Sequence, residues 1–164
     1  MKKILINLAL FQIGWMVCVI GGNLYAVGFT LAALSIHNWI VLNDHNEWKL
    51  IGGVVLVGCL WDITMANMGV ISYTNADLFG IPVWLICLWL LFATTFRHGL
   101  FWLRRHLWLA VVFAAVLGPA SYWFGSQLTD ANFDLPLSEA LLVMAVGWGL
   151  FFPWGIYYAG KLKA

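Results

Sequence analysis

Asp62 is the only acid that falls in the middle of a long apolar run, which makes it the first candidate for chemistry. A charge near the centre of a bilayer costs a few kcal/mol or more, so such a residue turns towards the protein interior. There it could carry a proton, act as acid or base, or bind a ligand. On a helix, Gly58, Asp62, Met65 and Gly69 share one face. Glycines on that stripe let a neighbouring helix approach closely. Ala26, Thr30, Ala33 and His37 make a second stripe of small and polar residues. Gln12, Asn7, Asn67 and Asn38 add amides at membrane depth. The expected ligand-binding or proton-carrying cluster is therefore Asp62 with Gln12, His37 and Asn67, flanked by Asn7 and Asn38. His37 and Asp62 differ in expected depth by about 6–9 Å. A blander role stands beside this one, because polar side chains in membrane bundles often only bridge helices, at about 0.6 kcal/mol each.

Other chemistry finds less support. The four histidines, His37, His45, His98 and His106, map to the same half of the chain's expected arrangement, without an HxxH box. Asp44 and His45 with His98 or His106 offer donors that suit zinc. Loop histidines among arginines at headgroup level explain the same pattern, so no metal and no cofactor are expected. There is no GxSxG elbow, Walker loop or dinucleotide fingerprint. No lysine falls within an apolar run, which excludes a retinal Schiff base. Cys18, Cys59 and Cys87 lie in apolar helices, where the thiolate is disfavoured, and read as packing residues.

The elements that must position these residues follow from composition. The chain has 164 residues, 63% apolar and 9% charged, with a mean hydropathy of +0.91. That leaves too few charges to cover a water-facing globule. A net charge of +1 argues against a nucleic-acid binder, and three scattered cysteines against a disulfide framework. A crossing of about 30 Å needs roughly 20 apolar residues. Six such runs are present, at about 4–22, 24–42, 50–72, 79–96, 107–125 and 137–158. The expected fold is all-α: one polytopic six-helix membrane bundle over residues 1–164. Gly21-Gly22-Asn23 forces the first two runs into a hairpin. All eight basic residues fall in the N-tail, the second and fourth connections and the C-tail, including Lys163. The opposite connections carry only Asp77, Asp130 and Asp134. This segregation places both termini in the cytoplasm. Lys2-Lys3 before an apolar run resembles a signal peptide, but Asn7 and Gln12 interrupt the run and no cleavage site follows, so the first span is expected to be retained. Pro82, Pro119 and Pro153 shape helices, and Pro153 with its neighbouring glycines is expected to make the sixth run the least regular. Glu139 falls in the first turn of that run, where a negative charge suits the helix dipole.

With these elements in place, the chain resembles a bacterial inner-membrane family, the domain-of-unknown-function family 2878. The resemblance covers nearly the whole chain. It rests on Asn7-x3-Phe11-Gln12-x-Gly14-Trp15, on Asp62, and on Pro82-x-Trp84-x3-Leu88-Trp89-x2-Phe92-Ala93. It continues through Thr95, Trp102-Leu103, Gly118-Pro119-x2-Tyr122-x2-Gly125 and Gly147-Trp148-x4-Pro153. It implies a small polytopic membrane protein and brings no established activity.

The functional expectation is a multi-pass protein of the bacterial inner membrane that binds a lipid or isoprenoid-like molecule, as an accessory to lipid metabolism or envelope stress. Its partners would be membrane lipids and a membrane protein, with no nucleic acid. Two rivals remain: a lipid-modifying enzyme using Asp62, and a small proton-coupled transporter using Asp62 and His37.

Overall fold

The computed structural model describes residues 1–161; Lys163, counted above with the basic tail, lies outside them. The helices are α1 (Lys2–Ile36), α2 (Glu47–Asn67), α3 (Val83–Ala93), α4 (Leu107–Ser126) and α5 (Leu137–Ala159). A π-helical turn (His37–Val41) extends α1, and a 3-10 turn (Phe101–Arg105) precedes α4. Four helices are long and apolar enough to cross a membrane: α1 with its π-helical turn, α2, α4 and α5. Large apolar side chains lie exposed on their outer faces, among them Leu24, Trp39, Trp108 and Leu150.

The first helix doubles back on itself. Gly22 takes φ +68° and ψ −169°, a conformation open mainly to glycine. The two arms lie side by side: Lys3 Nζ donates to Val41 O (3.4 Å) and to Asn43 Oδ1 (2.8 Å), and Gly14 packs on Phe29. The tip of this hairpin is fastened to the start of α3. Asn23 Nδ2 donates to Asp77 Oδ2 (2.6 Å), and the Trp84 N–H donates to Asn23 Oδ1 (2.9 Å).

The fourth apolar run folds differently from the expected span of 79–96. Pro82 opens the helix as expected, yet regular α-helix covers only the 11 residues of α3, about 16 Å of rise. Thr94 Oγ1 and Thr95 Oγ1 donate back to the carbonyls of Leu91 (2.7 Å) and Phe92 (2.6 Å), and the chain then coils through turns to Arg105. No residue from Ile81 to Leu100 is exposed. Irregular backbone at membrane depth is tolerated where protein surrounds it, and α3 is the element with that protection. Conversely α5, expected to be the least regular, runs unbroken through Pro153, as α4 does through Pro119.

A small sheet supplements the all-helical expectation. Strands β1 (Ile71–Tyr73) and β2 (Ala131–Phe133) pair antiparallel, with Ser72 opposite Asn132, and join the α2–α3 and α4–α5 connections. Around α3 the core is built from rings seated in glycine notches. A side chain at Gly58 would overlap the Trp89 ring; at Gly118, the Trp148 ring; at Gly147, Trp61; and at Gly155, Phe96. Trp89 and Trp148 stack at 5.4 Å and 14°. Gly58 was expected to meet the backbone of a neighbouring helix; its neighbour is instead the Trp89 ring of α3. Gly69 departs from expectation too, because α2 ends at Asn67. Gly69 has φ +66°, and the Gly69 N–H to Ala66 O and Val70 N–H to Met65 O bonds close a Schellman cap.

Candidate functional site

Asp62 is fully buried on α2, as its cost in lipid requires. Its partners, however, come from α3 and α4. Trp89 Nε1–H donates to Oδ2 and the Tyr122 hydroxyl donates to Oδ1, each at 2.5 Å. Among the described residues Asp62 forms no ion pair. Neither partner stands out as a site residue in the sequence, although each lies in a stretch that carries the family resemblance. The signal was an aromatic residue with a donor, which reads as packing until a buried acceptor is found for it.

Beside this group lies a cavity of about 620 Å³. Its walls are the first arm of α1 (Phe11, Gln12, Trp15), α3 (Trp84, Leu88, Trp89) and α4 (Leu117, Ser121, Tyr122), with Trp148 of α5 and Tyr73 of β1. Asp62 is not among the lining residues; it stands behind the wall and holds two of the side chains that form it. Two lining donors, Tyr73 Oη and Trp148 Nε1, have no hydrogen-bond partner among the described residues, and Trp61 Nε1 is buried in the same condition. Burial, and then the Asp62 charge, pushes the Tyr73 phenol well above the usual tyrosine range, so it remains a neutral donor. Unpartnered buried donors are costly, which makes this wall a place for an acceptor.

The remaining expected site residues scatter. Gln12 lines the cavity but is not a hydrogen-bond partner of Asp62. Asn67 is exposed at the end of α2, where it donates to Ile63 O (2.7 Å). Asn38 is half-buried in the π-helical turn. Asn7 is buried and bridges helices: Nδ2 donates to Thr94 O and Thr94 Oγ1 (3.1 Å each), and Oδ1 accepts from the Gly99 N–H (3.2 Å). His37 does not reach Asp62. It sits beside Glu47, 15 residues and about 22 Å along α2 from Asp62. The estimate of 6–9 Å fails because α2 starts earlier than the apolar run suggests, at a buried Glu47. His98, expected in a headgroup-level loop, is also buried and its Nε2 contacts Glu47 Oε1 (2.9 Å) and Oε2 (3.1 Å). Nothing in the sequence marks Glu47, because it falls in the polar connection before the apolar run that begins at residue 50, whereas α2 begins at Glu47 itself. On the rim, Arg97 Nη1 donates to Asp44 Oδ2 (3.4 Å). The Asn46 backbone N–H holds the Asp44 carboxyl below the usual range, aided by the Asn46 side chain and Arg97.

Fold and site together define a small helical protein with four helices long and apolar enough to cross a membrane, an apolar cavity and a buried acid tied to its wall. Residues 4–154 match the family model described as a protein of unknown function, DUF2878, and the chain belongs to that family. Neither a curated protein nor a solved structure matches it significantly.

Proposed function

We propose that this chain binds an amphipathic lipid or isoprenoid-like molecule, with its apolar part in the cavity and an acceptor group at Tyr73 and Trp148. The observation that carries this reading is the pairing of a large aromatic cavity with unpartnered buried donors in its wall. Ligand pockets have that composition: mostly apolar, with a few fixed polar groups. The position of Asp62 behind the wall favours binding over a lipid-modifying reaction at its carboxyl. Its distance from His37 removes the proposed titrating pair of a transporter.

The setting proposed for this activity is the bacterial inner membrane, crossed six times with both termini in the cytoplasm. Support comes from the doubled α1, from α3 enclosed by its neighbours, and from the segregation of charge. Lys3, Lys49, Arg97 and Arg104 belong to the end where Asn7 meets Thr94, and Asp77, Asp130 and Asp134 to the end that holds the small sheet. The direct test is mass spectrometry of lipids that co-purify with the protein in mild detergent. One lipid class should be enriched over the bulk membrane, and Ser121→Trp, which fills the cavity, should remove the enrichment. A bound fraction identical to bulk lipid in both proteins would refute the proposal.

A further inference from the structure

Three side chains from three elements converge at the end of the bundle opposite the small sheet: His37 from the π-helical turn, Glu47 from the first turn of α2, and His98 from the turns after α3. All three are buried. One donor atom from each lies within 4.8 Å of the others. His37 Nε2 is 3.2 Å from Glu47 Oε1, and His98 Nε2 is 2.9 Å from the same oxygen. We propose that His37, Glu47 and His98 bind a divalent transition-metal cation of the zinc class.

Three observations carry this. The donor set is two imidazoles and one carboxylate, the composition of catalytic zinc centres, which keep a further position for water or substrate. The spacing fits as well. A tetrahedral shell with bonds of about 2.1 Å sets ligand atoms about 3.4 Å apart, close to the 3.2 and 2.9 Å that separate the two imidazoles from Glu47 Oε1. The third observation is independent of the cluster's composition. Neither ring nitrogen of His37 has a partner of hydrogen-bond geometry among the described residues, although the Nε2 contact to Glu47 is short. A buried imidazole in that condition costs free energy that a cation on Nε2 would recover. A plain hydrogen-bonded cluster accounts for His98, whose Nε2 faces both Glu47 oxygens, but leaves His37 unexplained. The His37 and His98 rings meet edge to face at 5.3 Å, and Trp48 stands edge-on to His37 at 6.0 Å, which fixes the plane of the ring. The chemistry available is Lewis-acid polarisation or activation of a bound water. Neither depends on the cavity beside Asp62.

The test uses the full chain in detergent, purified without a histidine tag and stripped with a chelator. Cobalt(II) is the probe, because it occupies zinc sites and absorbs visibly. About one equivalent should bind per chain, with the intense bands of a four- or five-coordinate site, and zinc should displace it. His37→Gln and His98→Gln should each lose the bands while remaining monodisperse. Wild-type protein that binds no stoichiometric cobalt or zinc overturns the proposal, as does full binding in the His37→Gln, His98→Gln double variant. Should the variants not fold, the wild-type titration alone decides. Lipid enrichment measured on the same samples keeps the two proposals separate.

Discussion

Asp62 and Tyr122 stand 60 residues apart in the chain, and the phenol of one donates to the carboxylate of the other at 2.5 Å. With Trp89 on the second oxygen, one carboxylate ties α2 to both α3 and α4, two of the helices that line the cavity. The acid therefore holds two lining side chains in place without entering the cavity.

That arrangement separates two substitutions. Asp62→Asn keeps an acceptor for Trp89, and the Tyr122 hydroxyl can reverse its role and accept from the amide. Asp62→Leu leaves two buried donors unsatisfied, at about 1–3 kcal/mol each. Thermal unfolding in detergent should place Asp62→Asn near wild type and Asp62→Leu well below it. Lipid enrichment should survive in Asp62→Asn. Its loss from a normally folded Asp62→Asn protein would assign the carboxyl a direct part in binding.

The glycine notches offer a second measurement. A Leu at Gly58 must displace the Trp89 ring, and with it a donor to Asp62 and the stack on Trp148. Overpacking of this kind costs about 1–3 kcal/mol. A Cβ at Gly69 has open space around it, but Gly69→Leu must adopt a positive φ, at about 1–2 kcal/mol. Gly69→Asn should recover most of that loss, whereas Gly58→Asn should not recover its own. Equal recovery at both positions would contradict the assignment of space to one and conformation to the other.

Much of the architecture was legible because it rests on local signals. Apolar run length marked α1, α2, α4 and α5, Gly21-Gly22 marked the reversal, and Pro82 marked the start of α3. The interior position of Asp62 followed from cost alone. Its partners did not, because a helical face says where a side chain points and not which neighbour meets it. Two stripes suggested that Asp62 and His37 would meet; the actual level of His37 was set by where α2 begins, at Glu47. The end of α3 was illegible for a related reason. Thr94, Thr95 and Phe96 continue the apolar run in composition, and only the hydroxyl bonds to Leu91 and Phe92 show that the helix stops. Asn7, expected as a member of the Asp62 cluster, instead secures that irregular segment through Thr94 and Gly99.

Crossing number and orientation lead to a third expectation. Reporter fusions at Asp77 and Asp130 should read as periplasmic, and a fusion at Arg104 as cytoplasmic. The Arg104 fusion is the most informative, because it follows α3, whose regular helix is too short to cross alone. A periplasmic signal there would mean that α3 enters and leaves on one side.

The last expectation concerns pH and the loop that carries Asp44. The Asn46 backbone N–H, then the Asn46 side chain and Arg97, hold this carboxyl below its ordinary value of 3.8. A group whose folded value lies below its unfolded value binds fewer protons in the folded state. Its contribution to stability is therefore full above about 3.8 and falls away as pH drops through the lowered value. Asp44→Asn retains an acceptor for the Asn46 N–H but loses the charge at every pH. Wild type should thus melt slightly above Asp44→Asn at neutral pH, and the gap should close in acid below the ordinary aspartate value. The effect is small because the half-buried pair is long, at 3.4 Å, and stands at the water-facing rim, and added salt should narrow the gap at neutral pH. A gap unchanged between neutral and strongly acid conditions would show that the side chain acts through shape and hydrogen bonding, not charge.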